Sequence, residues 1–234
     1  MLQKPIYITL SIGGSIINSG EIDVEFLIEL RKLVTEIIES SHGKKKLIIV
    51  CGGGVVAREY IRASPDDLPP GQKDYLGIMP TWVNAQLLSA WLHEYCPPIP
   101  SQEFTQFIND AKLFPVTIAG GFLPALKTDE DSAIAADYFG SPYLINVTNV
   151  DGIYDKDPNK FSNAKKFSYL SYDEFYKIFS GSTLDPGASA PFAEVAVKIC
   201  ERTNMKIFVV GKNIETIKQA LEGKCLGTEI GPKK

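Results

Sequence analysis

Three predicted strands of this chain run into glycine pairs or triplets, and this feature limits the possible folds most strongly. The strands predicted at residues 6–10, 47–50 and 115–119 are followed by Gly13-Gly14, Gly52-Gly53-Gly54 and Gly120-Gly121. Segments with apolar residues at helical spacing separate the strands. Because strands that alternate with helices form parallel sheets covered by helices, we expect an α/β fold. The predicted architecture is a three-layer αβα sandwich with an open, mainly parallel sheet.

Local signals set the boundaries of the other predicted elements. Asp23 is a helix N-cap, and Gly43 ends the helix that follows. Residues 64–73 are rich in proline and predict a loop, and the next helix covers about 75–95, with Pro80 near its first turn or at a kink. The remaining predictions are helices near 130–139 and 192–203, a capping box at Ser171 and Glu174, a helix from Asn213, and strands at 143–147 and 207–210.

Charge, apolar runs and cysteine content exclude several classes of protein. The net charge of -4 predicts no nucleic-acid partner, since binding to a phosphate backbone normally needs a basic face. No apolar run is long enough to cross a bilayer, so we expect neither a membrane partner nor a targeting segment. The 4 cysteines form no close pairs and His42 and His93 are isolated, which favours reduced thiols, a cytoplasmic location and no protein metal site.

The glycine runs indicate a phosphate-binding edge. Ligands of open parallel sheets bind at the carboxyl ends of the strands. Glycine allows close backbone approach there, and a helix that follows adds the positive end of its dipole. A single glycine run is also an ordinary tight turn, but three runs after strands favour a shared crevice for more than one phosphate group. The chain has no GxxxxGK[ST] loop, and no GxGxxG follows the first strand, so any phosphate site uses another arrangement.

The same segments carry a family resemblance. Ile12-Gly13-Gly14-Ser15, Cys51-Gly52-Gly53-Gly54, Gly120-Gly121 and a run from Thr148 to Tyr154, with Asp157-Pro158 after it, resemble the amino-acid-kinase superfamily over nearly the whole chain. The resemblance implies a single domain over 1–234, with an acceptor-binding lobe at about 1–140 and an ATP-binding lobe at about 141–234. It implies ATP contacts from Gly13, Gly14, Thr148, Asn149, Val150, Asp151, Gly152, Tyr154, Asp157 and Pro158.

Within the superfamily, the chain most resembles the archaeal uridylate kinases. The residues that show this resemblance are Gly52-Gly53-Gly54-x-x-Ala57-Arg58, Asp74 to Ile78, and Thr128-Asp129. The resemblance implies phosphoryl transfer from ATP to UMP with Mg²⁺ bridging ATP oxygens, in a homo-oligomer built from dimers, such as a hexamer. It implies a UMP site of Gly53, Gly54, Arg58, Asp74, Gly120, Gly121 and Thr128, and catalytic roles for Lys127, Asp129, Gly14 and Ser15.

The chain departs from the family pattern at charged positions. Ser11 stands where many members carry a lysine, and Ala193 stands where relatives carry a charged residue in the segment 188–193. Lys127 replaces the first threonine of a Thr-Thr-Asp motif. We hypothesise that Lys127 supplies the missing positive charge at the site.

Simpler roles remain open for several of these residues. Arg58 is also explained as a surface charge, Asp74 as an N-cap, Asp151 as a turn former and Tyr154 as core packing. Two further functions are open as well: a kinase of the same fold for a small carboxylate or phosphate acceptor, and a nucleotide-binding regulator or storage protein without turnover.

Overall fold

The computed structural model describes residues 4–179 and 192–234, so residues 188–191 of the segment with the expected charge lie outside it. The described strands are, in chain order, β1 (Ile6–Ile12), β2 (Lys45–Cys51), β3 (Val116–Ala119), β4 (Tyr143–Thr148), β5 (Tyr169–Ser171), β6 (Lys206–Gly211) and β7 (Thr228–Gly231). The helices are α1 (Gly14–Ile17), α2 (Val24–Ser41), α3 (Gly54–Ala63), α4 (Pro70–Trp91), α5 (Phe104–Leu113), α6 (Thr128–Phe139), α7 (Tyr172–Phe179), α8 (Glu194–Arg202) and α9 (Ile214–Leu221).

The described strands form one open sheet in the order β3-β2-β1-β4-β6-β7-β5. The run from β3 to β6 is parallel, β7 is antiparallel to β6, and β5 is parallel to β7. The prediction of an open, mainly parallel sheet is therefore confirmed.

Apolar side chains on both faces of the sheet build the three layers. The even-numbered residues of β1, such as Leu10, pack with α2, α4 and α9. On the opposite face, Ile48 and Val50 of β2 pack with α5 and α6, while Ile207 and Val209 of β6 pack with α6, α7 and α8. The runs of apolar residues without alternation follow from this burial on two faces. The αβα sandwich is confirmed.

The order in which the chain adds strands to the sheet reverses at β1. It passes from β1 to β2 and β3 on one side and then crosses to β4 on the other side of β1. Such a reversal is a topological switch point, where a crevice opens outside the carboxyl ends of the strands. The three glycine turns and the predicted run from Thr148 to Tyr154 lie at the carboxyl ends of β1, β2, β3 and β4.

Helix starts predicted from the sequence are confirmed at three points. Asp23 accepts a hydrogen bond from Phe26 N (3.0 Å), and Asn213 accepts one from Thr216 N (3.2 Å). Ser171 N donates to Glu174 Oε2 (2.8 Å), as the predicted capping box requires.

Other boundaries differ from the prediction. The loop predicted at 64–73 is too long, because α4 begins at Pro70, where a proline at the first helical position costs no hydrogen bond. Pro80 lies in the interior of α4 rather than in its first turn. The helix α5 and the short strands β5 and β7 were not predicted. Every helix of residues 4–179 and 192–234 is too short or too polar to cross a membrane.

Candidate phosphate-binding site

The N-termini of α1 and α3 meet at the carboxyl ends of β1 and β2. A methyl group at Gly14 would lie 2.2 Å from Gly54 N and 2.4 Å from Gly52 O, and one at Gly54 would lie 2.8 Å from Ser15 N. Gly54 also has a φ of 65°, in the left-handed region that favours glycine. Only residues without side chains let these two turns touch, so the glycines bring both helix starts to one point.

This contact creates a place with spare hydrogen-bond donors. The first N–H groups of a helix have no acceptor within the helix, and they carry the positive end of its dipole. Two helix starts side by side therefore favour an anion such as a phosphate group. Two amides of these turns are engaged within the fold, since Gly13 N donates to Val147 O (3.0 Å) and Gly52 N to Ile12 O (2.9 Å).

The third glycine turn is joined to the first two through α4. Thr81 accepts a hydrogen bond from Gly121 N (2.7 Å), and its methyl group lies 3.3 Å from where a Cβ of Gly53 would be. A methyl group at Gly120 would lie 2.4 Å from the Thr81 hydroxyl. The N–H of Gly121 is therefore engaged by the Thr81 hydroxyl. This turn contributes by packing.

Asp129 in the first turn of α6 faces the end of β1. Its Oδ1 accepts from Ser11 Oγ (3.4 Å), and its Oδ2 accepts from the backbone N–H of Ala193 (3.2 Å), the N-cap of α8. Burial raises the pKa of the Asp129 carboxyl to about 6, while the Ala193 N–H opposes the shift. The Thr128 hydroxyl lies 3.5 Å from where a Cβ of Gly52 would be. The structure therefore brings Thr128 and Asp129 to the two glycine turns.

Three predicted acceptor or catalytic side chains lie further out. Lys127 is the exposed N-cap residue of α6, one residue before Thr128. Arg58 is exposed on the second turn of α3, without a hydrogen bond or ion pair to any residue that the structure describes. Asp74 lies in the second turn of α4, so its reading as an N-cap is wrong, and its Oδ2 accepts from Ala125 N (2.9 Å).

The predicted donor loop follows β4, across the switch point from the glycine turns. Thr148 is the last residue of β4, and the next residue, Asn149, donates from Nδ2 to Ser15 Oγ (2.8 Å). This bond ties the loop to the start of α1. Val150 is half-buried beside it.

Asp151 organises the rest of the donor loop. Its carboxylate accepts from the Tyr154 hydroxyl (2.5 Å) and from Lys166 Nζ (2.9 Å). The Tyr154 hydrogen bond and then the Lys166 bond hold the pKa of this carboxyl below its ordinary value. Tyr154 is only partly buried and belongs to no core cluster of the described residues, which argues against a pure packing role.

Close backbone packing fixes the position of this loop. A Cβ at Gly152 would lie 2.7 Å from Thr228 Oγ1, and one at Gly211 would lie 3.2 Å from Asp151 Cα. Further along, Asp157 Oδ1 accepts from Asn159 N (2.9 Å), and Pro158 lies half-buried in the same turn. The donor loop thus rests on β6 and β7, and Asn149 reaches across to α1.

Sequence reasoning assigned no individual site role to three side chains that shape the site. Thr81 links two glycine turns as described, and the buried Asn84 donates to Gly52 O (2.8 Å). Asp131 accepts from Phe122 N (3.3 Å) beneath the loop after β3. Thr81 and Asn84 are polar residues at buried positions of α4. Polar residues among the apolar core positions of a helix could have indicated these two from the sequence.

No group of three or more His, Cys, Asp or Glu side chains suited to a metal ion is found in residues 4–179 and 192–234. Mg²⁺ often keeps several waters and binds mainly through substrate phosphates. The described residues therefore fit a magnesium ion that is carried by a nucleotide better than one held in a protein cage.

A parallel sheet with two helix starts gathered at its switch point is typical of proteins that bind phosphate groups. The family model of the amino acid kinase family matches residues 8–211. The chain belongs to this family.

Particular relatives match over nearly the whole chain. A uridylate kinase of Thermococcus sibiricus is 37% identical over 227 residues, covering 96% of this chain and 99% of the relative. The crystal structure of uridylate kinase from Archaeoglobus fulgidus has a TM-score of 0.82 at 31% identity, covering 96% of this chain and 99% of that one. A UMP kinase structure from Bacillus anthracis, with a TM-score of 0.75 at 16% identity and coverage of 99% and 98%, shares the fold.

Proposed function

We propose that this chain is a uridylate kinase, which transfers the γ-phosphoryl group of ATP to a phosphate oxygen of UMP and gives ADP and UDP. The observation that carries the proposal is the meeting of the α1 and α3 N-termini at the switch point, because phosphoryl transfer needs two phosphate groups held in line beside fixed donors. The names of the relatives, over nearly their full lengths, support UMP as the acceptor.

The proposal divides the chain into two functional lobes. Residues up to about 140 hold the acceptor, through Gly53, Gly54, Arg58 and the Asp74 carboxylate, which suits ribose hydroxyls. Residues from about 141 hold ATP through the loop that follows β4. Mg²⁺ bound to the ATP oxygens would supply positive charge against the transferring group. A cytoplasmic homo-oligomer built from dimers, such as a hexamer, belongs to the same proposal.

An acceptor panel tests the function. Purified protein with ATP and Mg²⁺ is offered UMP, CMP, carbamate, acetylglutamate and isopentenyl phosphate, and ADP release is measured for each. We expect turnover with UMP that exceeds every other acceptor by at least about 100-fold, the discrimination that polar recognition supplies.

The same panel separates the competing functions. Turnover with a carboxylate or an isoprenoid phosphate instead of UMP would identify a kinase for another acceptor. Tight binding of ATP or UTP without ADP release on any acceptor would identify a regulator, which the uncharged Ser11 and Ala193 favour.

Lys127 is expected to act on the reaction rather than on substrate binding. Its position as the exposed N-cap residue of α6, one residue before Thr128, supports a role for its positive charge in the reaction. We predict that Lys127→Ala lowers kcat by about 100-fold, the typical cost of one lost transition-state donor. Steady-state kinetics with UMP and ATP measure this.

Lys45→Ala is the control. Lys45 lies at the amino end of β2, whereas the site lies at the carboxyl ends of the strands. Unchanged turnover in Lys127→Ala would show that this lysine does not replace the charge missing at Ser11.

Arg58 is expected to bind the UMP phosphate. Its guanidinium is unpaired within the described residues and lies one turn into α3, next to the glycine turn. Because hydrogen bonds to charged groups contribute about 1.5–3 kcal/mol, we predict that Arg58→Ala raises the KM for UMP by roughly 10- to 100-fold and leaves the KM for ATP unchanged.

Arg62→Ala removes the same charge from the last turn of the same helix and serves as the matched control. Equal effects of the two substitutions would assign Arg58 a general electrostatic role instead of a direct contact.

A further inference from the structure

The loop of residues 120–127, between β3 and α6, is held by side chains from two helices. On the α4 side, Thr81 accepts from Gly121 N (2.7 Å) and Asp74 accepts from Ala125 N (2.9 Å). The indole N–H of Trp82 donates to Gly121 O (2.9 Å). Apart from one long turn hydrogen bond of its own, from Leu126 N to Leu123 O (3.4 Å), the loop is therefore held by groups outside it.

The α6 side holds the same loop through two carboxylates. Glu130 Oε2 accepts from Lys127 N (2.6 Å), and Asp131 Oδ2 accepts from Phe122 N (3.3 Å). Asp131 lies directly under the turn, 3.5 Å from where a Cβ of Gly121 would be, and is 1% exposed. Burying a carboxylate costs free energy, so its presence at this position requires a reason.

Asp131 has no part in the phosphate chemistry proposed above. It lies two residues after Asp129, about 200° further around the helix, so the two carboxylates leave α6 in opposite directions. Asp129 faces β1 and α8, whereas Asp131 faces the loop. Helix α6 thus connects the proposed reaction site at Asp129 with the loop of residues 120–127.

The backbone of the loop is strained at Ala125, the residue whose N–H donates to Asp74. Ala125 has a φ of 66°, a left-handed conformation that is unfavourable for a residue with a Cβ. Such strain persists only where surrounding contacts impose it, and it concentrates at functional sites. The hydrogen bond from Ala125 N to Asp74 Oδ2 is a contact at this residue, and the bond from Phe122 N to Asp131 Oδ2 lies three residues before it.

We propose that Asp131 is a positioning residue for the acceptor, which holds the loop of residues 120–127 in the conformation that presents Asp74 and Thr128 to UMP. This inference rests on the proposed function. Burial raises the pKa of the Asp131 carboxyl to about 7, the Phe122 N–H opposes the shift, and the neighbouring Glu130 adds to it. The groups of α4 that lie near the same Gly121 position, Ile78 and Thr81, carry no charge.

The test uses two variants that remove the acceptor oxygen, Asp131→Ala and Asp131→Val, and one that keeps it, Asp131→Asn. Asp137→Asn is the matched control, since Asp137 is on the last turns of the same helix and pairs with Arg202. For Asp131→Ala and Asp131→Val we expect a KM for UMP raised about tenfold, with the KM for ATP and kcat within about twofold of wild type. Asp131→Asn is expected to restore the KM for UMP to within about threefold.

A measurement without substrate keeps this inference separate from the proposed function. Hydrogen exchange of the ligand-free protein reports on the amides of residues 120–127, and we expect exchange about tenfold faster in Asp131→Ala and unchanged exchange in Asp137→Asn. Lower stability with an unchanged KM for UMP would overturn the proposal, because it would show a structural role only. If wild type phosphorylates no UMP, the proposed function fails, while exchange unchanged in Asp131→Ala would show that Asp131 does not hold the loop.

Discussion

Gly14→Ala is expected to abolish activity and to destabilise the protein. The added methyl group would lie 2.2 Å from Gly54 N and 2.4 Å from Gly52 O, and both of these are backbone atoms that cannot rotate away. The turns after β1 and β2 must therefore separate, which removes the paired helix starts. Overpacking costs about 1–3 kcal/mol or more, and a displacement of about 1 Å costs roughly 100-fold in rate.

Urea unfolding and turnover with UMP measure this prediction together. Gly71→Ala is the control, because Gly71 lies in the first turn of α4 with no atom within 4 Å of an added Cβ. Its stability is expected to stay within about 1 kcal/mol of wild type. Wild-type activity in a folded Gly14→Ala would contradict the close contact on which the proposed site depends.

The free energy of unfolding is expected to fall as the pH rises from 5 to 8. Burial raises the pKa of Asp131 to about 7 and that of Asp129 to about 6 in the folded protein. The unfolded chain loses these protons near the ordinary value of about 4. Between these values the folded state binds more protons than the unfolded state, so stability is greatest at the acid end and is lost as the pH passes through the folded pKa values.

The size of this effect follows from the shift at Asp131. Of the difference of about three pKa units, about two units fall between pH 5 and pH 7, which corresponds to roughly 3 kcal/mol as an upper limit. Asp131→Asn, which stays neutral, is expected to lose a large part of the pH dependence, and Asp137→Asn is expected to keep it. Urea denaturation at pH 5, 6, 7 and 8 measures the slopes. Equal slopes for wild type and Asp131→Asn would contradict the buried, ionisable state of Asp131.

The sheet and its glycine turns were predictable because their signals are local. Unbroken apolar runs gave β1, β2 and β4, and glycines directly after strands located the switch-point edge. The strands β5 and β7 have only 3 and 4 residues, too few for any periodicity to be recognised. Helix α5 has Glu103 as its N-cap residue, whose side chain makes no capping hydrogen bond, so the sequence offered no start signal.

The partners of the site residues were not predictable in the same way. Thr81 and Gly121 are 40 residues apart, and Ser11 and Asp129 are 118 apart, so no local pattern connects them. Asp131 reads in the sequence as one of several acidic residues at a helix start, where such residues are common. Its burial depends on the loop folding over α6, which is a property of the tertiary structure.

The short strands at the two borders of the sheet affect how copies of this chain can associate. In the part of the chain that the structure describes, the sheet is bordered by β3 and β5, with 4 and 3 residues. Ser101 also bridges to Ala119 on β3 and covers part of that border. Short borders expose few unpaired amides, so they offer little template for strand addition or fibre growth. Assembly of several copies is therefore expected to use surfaces other than the borders of the sheet.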